Sequence, residues 1–211
     1  MANAGLIAGL VYLILVLVLF SVLPTSSSRG TTSVLTSPHL PTKQGAGPIA
    51  AWRKLCELHP TECQVNPMES ETIQLTPRIW LLLASVNQWV NATIKPRADV
   101  DRWGMEDHWD FPRDGYGDCE DYQLLKRKLL VRAGLPARAL RMTVVLDEAA
   151  TGHAVMLVRT DRGDFILDNK RSDILPWHET GYIYIKRESD EGVDWVWLGA
   201  AASLHKVASS R

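Results

Sequence analysis

The chain has 211 residues, 46% of them apolar and 22% charged, which is the composition of a soluble globular protein. A formal net charge of −1 leaves no electrostatic footprint for nucleic acid, so no nucleic-acid partner is expected. Outside the N-terminal segment the length suits one domain able to bury a core without staples, and function must come from local sites.

The run from Leu6 to Leu23 is uncharged and almost wholly apolar, close to the ~20 residues that cross a bilayer as a helix. Residues 1–24 therefore read as a transmembrane anchor in the inner membrane or as a signal peptide. The segment MANAG has no basic residue and no A-x-A follows the run, which favours the anchor. Either reading exports the rest of the chain to the periplasm or the cell surface. Residues 25–48, rich in Thr and Ser at their start, read as a flexible linker.

Ala51 to Glu62 has the pattern of a short helix with Trp52, Leu55 and Cys56 inward, broken at His59-Pro60. That break lets the chain turn back, and in an oxidising compartment Cys56 and Cys63 then suit a small-loop disulfide. A zinc site of Cys56, Cys63 and His59 has no evident fourth ligand. The next helix starts at Thr76, an N-cap, with Pro77 at its first position. It places Leu82, Val86, Trp89 and Val90 on its apolar face, with Asn87 and Asn91 alongside in structural roles. Asn91-Ala92-Thr93 is also a glycosylation sequon.

Lys95 to Gly117 has no periodicity and reads as a long ordered loop, held by Trp103 and Trp109. A helix opens at Cys119, with Tyr122, Leu124, Leu125 and Leu129 inward and Lys126 to Lys128 outward, and Gly134 and Pro136 end it. Strands follow at 139–146, 153–159, 164–168, 182–187 and 193–198, with a hairpin turn at Thr160–Gly163. A helical half before an antiparallel half makes the class α+β.

Cys119 is left without a cysteine partner. At a helix start the free N–H groups and the dipole favour a thiolate and can also face an oxyanion. If the hairpin folds about Asp161-Arg162, His153 and Asp168 meet at its open end. One imidazole nitrogen then bonds Asp168 and the other faces Cys119, the order of nucleophile, base and orienter in thiol hydrolases. Taken singly, an inert buried thiol, a strand-edge histidine and a turn aspartate are commoner; the combination in this order carries the reading.

The strings WGMEDHWDFP, GDCEDYQLLKRKLL, GHAVMLV and ILDN resemble the bacterial transglutaminase-like cysteine proteases, the LapG-like periplasmic enzymes. The resemblance runs from about Ala51 to Leu198 and rests most on GDCEDY. It implies a papain-like, transglutaminase-like fold over residues 49–200, with 201–211 as a C-terminal tail, and a catalytic Cys119, His153 and Asp168. It also implies Ca²⁺ held by Asp118, Glu120 and Asp121 with Asp99 upstream, all hard oxygen donors; their alternative role is to support a helix N-terminus. The tether and the Cys56/Cys63 pair depart from the family pattern.

The expected activity is a cysteine endopeptidase acting on a periplasmic or surface protein. The same triad also serves an amidase or a transglutaminase. A silent calcium-dependent binding module is the non-enzymatic alternative.

Overall fold

The computed structural model describes residues 36–199. In chain order these form β1 (Thr42–Ala46), α1 (Ala50–Leu58), α2 (Pro60–Cys63), α3 (Pro77–Thr93), β2 (Lys95–Pro96), α4 (Asp99–Trp103), β3 (Tyr116–Gly117), α5 (Cys119–Arg132), β4 (Leu140–Leu146), β5 (Gly152–Thr160), β6 (Gly163–Leu167), β7 (Leu175–Pro176), β8 (Ile183–Glu188) and β9 (Trp195–Leu198). Seven strands pair in the order β1-β9-β8-β4-β5-β6-β7, and every pairing is antiparallel. The class is α+β, as the order of elements predicts. Readings on 1–35 and 200–211, including the anchor or signal peptide and the tail, lie outside the described residues. Among the described residues no helix is long and apolar enough to cross a membrane.

The sheet is covered on both faces, which is why β5 and β6 are buried along nearly their whole length instead of alternating. On one face α3 and α5 bring Leu83 and Leu130 onto Met156, Val158, Phe165 and Leu167. On the other, Val145, Val155, Leu157 and Tyr184 pack with Leu40 and Trp177.

Leu40 belongs to a strap that the linker reading of 25–48 does not anticipate. Ser37 N–H donates to the Arg162 carbonyl at 2.7 Å, Leu40 N–H to Asp164 Oδ2 at 2.7 Å, and Trp177 Nε1–H to the Pro38 carbonyl at 2.7 Å. Residues from Ser37 to β1 thus run from the β5–β6 turn to the far edge of the sheet. Polar composition concealed this, because the segment is held by its backbone groups, the apolar Leu40 and one contact of His39 Nδ1 with Asp164 Oδ1 at 3.0 Å.

Both helix starts follow local chemistry. Thr76 Oγ1 accepts from Ile79 N–H at 3.2 Å with Pro77 next to it, and Gly134 ends the α5 segment at φ 94°. The inward faces differ from expectation. On α3 the buried stripe is Leu83, Asn87 and Val90, and Trp89 stays 54% exposed. The asparagines decide this rotation. Asn87 Nδ2 donates to the carbonyls of Arg171 (3.1 Å) and Ser172 (3.0 Å), and Asn91 Nδ2 to those of Asp168 (2.8 Å) and Arg171 (2.9 Å). Both amides are thereby engaged inside the fold. On α5, Lys126 and Arg127 are buried; Arg127 pairs with Glu188 at 2.9 Å.

Cys56 and Cys63 are joined in a disulfide that ties α1 to α2. Closing so short a loop constrains the unfolded chain by about 2–3 kcal/mol. Reduction with dithiothreitol is expected to lower the urea-unfolding free energy by that amount. An unchanged midpoint would show the bridge to be idle.

Candidate active site

Three elements bring the expected residues together. Cys119 opens α5, with Asp118 before it in extended conformation. His153 is the second residue of β5, and Asp168 follows directly on the end of β6. Met156 pairs with Leu167 across the hairpin, so His153 and Asp168 share its open end.

His153 Nε2 lies 2.9 Å from Asp168 Oδ1, with both side chains buried. Nδ1 is the ring nitrogen left for the cleft. The next residue, Ala154, donates its N–H to Cys119 Sγ at 3.3 Å, which ties the thiol to the strand carrying the histidine. Cys119 and His153 both line the two cavities here, one with Glu106, Asp107 and Trp109, the other with Arg97, Asp101 and Lys170.

Asp168 is held from every side. Tyr182 O–H donates to its Oδ2 at 2.6 Å, Lys170 N–H to its Oδ1 at 3.0 Å, and Asn91 grips its carbonyl. Burial alone would raise this carboxyl; the hydrogen bonds from His153, Tyr182 and Lys170 N–H and the histidine's charge outweigh it and leave Asp168 below the ordinary value. Sequence reasoning passes over Tyr182 and gives Asn91 only a general structural role, since each is distant in the chain from the Asp168 that it holds.

The thiol's surroundings oppose the simple helix-start argument. Burial pushes Cys119 well above an ordinary thiol, and the charges of Glu120 and Asp118 push the same way. Its S–H donates to Glu120 Oε2 at 3.2 Å. The acids are themselves perturbed. Burial and then Asp118 raise Glu120 to about 10; burial first, then Asp118 and Asp99, raise Asp121 to about 8; burial raises Asp99 and Asp107. So many carboxyls beside one arginine form a site short of positive charge.

Asp99, Asp118, Glu120 and Asp121 are all in this cluster. One set of oxygens within 4.8 Å of one another comes from Asp99, Asp118 and Asp121, and another from Asp99, Asp107 and Glu120. Asp107 is a member that the sequence reading omits; its place in EDHWD, in the stretch before the nucleophile, is the only local hint. Asp99 Oδ1 and Asp118 Oδ1 are buried and accept no hydrogen bond. Asp121 is otherwise occupied, taking Arg102 Nη1–H and Asp110 N–H at 3.1 Å each. Of the tryptophans, Trp109 reaches the cleft, Trp177 packs against the strap on the other sheet face, and Trp103 is 45% exposed.

Residues 42–203 match the bacterial transglutaminase-like cysteine proteinases. The chain belongs to this family. It is a cysteine peptidase with a transglutaminase-like fold, which removes the non-enzymatic alternative. No curated protein sequence matches the proteinase. Solved structures similar to it include calcium-bound Legionella pneumophila LapG, at 22% identity and TM-score 0.49 over 70% of this chain and 87% of that one. EGTA-treated L. pneumophila LapG is similar at 24% identity and TM-score 0.49, over 75% and 95% of the two chains.

Proposed function

We propose that the proteinase cleaves a protein substrate through a Cys119 thioester, with His153 as base and Asp168 as its orienter. The observation that carries this reading is the 2.9 Å bond from His153 Nε2 to Asp168, on a strand whose next N–H is bonded to Cys119 Sγ. His153 Nδ1 takes the thiol proton as Sγ adds to the scissile carbonyl carbon. The free N–H groups at the start of α5 face the oxyanion. His153 returns the proton to the leaving amine as the C–N bond breaks. A water, losing its proton to Nδ1, then opens the thioester, releases the acid and restores the thiol.

The acidic cluster is read as a calcium site. Its hard oxygen donors and the two orphaned oxygens of Asp99 and Asp118 fit such an ion. Asp99 would hold it either with Asp118 and Asp121 or with Asp107 and Glu120, and Arg102 and the Asp110 N–H brace Asp121 beside it. A bound divalent cation supplies the positive charge that these carboxylates lack next to the thiol. Export to the periplasm or cell surface, through an anchor or signal at residues 1–24, is supported by the Cys56–Cys63 disulfide.

The test is iodoacetamide labelling of Cys119 at pH 7, in calcium and in EGTA. Labelling is expected about tenfold or more faster in calcium, and in calcium faster than a free thiol, which titrates near ~8.5. Rates equal in both buffers and no faster than a free thiol would overturn the reading. Fluorescent casein supplied with dansylcadaverine separates the outcomes of one acyl-enzyme: fragments mark a peptidase, and incorporated amine marks a transglutaminase.

A further inference from the structure

Three consecutive residues in the stretch before the nucleophile donate to the acids beside it. His108 N–H donates to Asp99 Oδ2, the Trp109 indole N–H to Asp107 Oδ1 at 2.8 Å, and Asp110 N–H to Asp121 Oδ1 at 3.1 Å. Asp99 belongs to both sets of converging oxygens, Asp121 to one and Asp107 to the other. Whichever set takes the ion, its carboxylates are aimed from residues 108–110. Partners of this kind fix the direction of a ligand oxygen before the ion arrives.

Residues 107–112 form no helix or strand of their own, so their support comes from elsewhere. It comes from the corner between α1 and α2. Trp52 of α1 meets Trp109 edge-on, with ring centroids 5.6 Å apart. His59, between the two helices, places Nε2 3.3 Å from Asp110 Oδ1 and its ring 5.6 Å from that of Phe111. The corner is fixed twice. The Cys56–Cys63 bridge closes around His59, and Glu62 of α2 accepts from Lys128 Nζ of α5 at 2.8 Å.

Trp52 and Trp109 are buried, and packing alone accounts for their contact. His59 is different. A helix ending before a proline needs no particular side chain at the break, and this one is 25% exposed. Neither helix geometry nor core packing calls for a histidine there. What it does is grip Asp110, whose carboxylate takes His59 Nε2 and Phe111 N–H while its own N–H goes to Asp121. Holding that carboxylate holds the peptide aimed at Asp121.

We infer that His59 is a positioning residue for the cation beside Cys119, acting through Asp110 on the segment that orients Asp99, Asp107 and Asp121. This rests on the acidic cluster as a calcium site. His59 lines neither cavity at Cys119, so it acts only through other residues.

The test is calorimetric titration of calcium into the calcium-stripped full chain and into His59→Ala, Asp110→Ala and the double variant, at a temperature where circular dichroism shows each folded. In His59→Ala the calcium Kd is expected to rise about three- to tenfold, at the low end for partners of metal ligands because it acts through one residue more. The double variant is expected to match Asp110→Ala, since both changes remove the same bond. A corner that only stabilises the fold would lower the melting temperature and leave the Kd within about twofold of the unaltered value. That result, or effects of the two changes that multiply, overturns this inference and leaves the calcium site standing. No calcium bound by the unaltered chain overturns the calcium reading and this inference with it. Should the variants unfold, imidazole NMR of the unaltered protein decides. A His59 signal that moves as calcium fills the site supports the inference, and one that stays fixed overturns it.

Discussion

His153→Ala is expected to lower peptide hydrolysis by about a thousandfold, in line with the upper range for a lost acid–base group. The change removes the acceptor of the thiol proton and its donor to the leaving amine together. It also takes away one of the bonds that together outweigh burial at Asp168, which keeps only Tyr182 and the Lys170 N–H on its oxygens. Iodoacetamide labelling of Cys119 is expected to slow in parallel, because a thiol raised by burial and by Glu120 has lost its base. Added imidazole can enter the vacated space beside the cleft and is expected to restore part of both rates. Hydrolysis within about tenfold of the unaltered protein would remove His153 from the mechanism.

Gly163→Ala is expected to destabilise the fold by about 4 kcal/mol or more, through lost hydrogen bonds and the exposure of a core leucine. Gly163 closes the β5–β6 turn at φ 101°, a region that other residues rarely adopt. A Cβ there would lie 1.5 Å from the Ser37 carbonyl oxygen and 2.3 Å from its carbon. The backbone has nowhere to give, so the strap must lift. With it go the bonds of Ser37, Leu40 and Pro38 and the burial of Leu40. Thermal or urea unfolding measures the loss. A cost below about 1 kcal/mol would mean that the strap adds little to the native state.

How much of this was legible follows from the range of each interaction. Thr76-Pro77, Gly134-Pro136 and Thr160–Gly163 act within a few residues, and their elements fall within a residue or two of expectation. Cys119 at a helix start and the His153–Asp168 pair followed from one helix boundary and one hairpin. What escaped depends on partners far along the chain. Arg127 is turned inward by Glu188, and Asn91 by the carbonyl of Asp168. Periodicity alone sends Lys126 and Arg127 of α5 to solvent and Trp89 to the core. Asp107 joins the acids at the nucleophile only because the Lys95–Gly117 segment folds back through the short β2–β3 pair.

The disulfide has a practical consequence beyond stability. Of three cysteines, two are consumed by the bridge, so Cys119 is the sole free thiol of the chain. Under non-reducing, denaturing conditions a thiol-specific chromophore should count one group per molecule. A shortfall measures a nucleophile already lost to oxidation, and an excess measures an opened bridge. The reductants customary for thiol enzymes then carry an ambiguity here, since they protect the nucleophile while unfastening α1 from α2. Activity lost in reductant would reflect the loosened helices, and the same titration would tell the two apart.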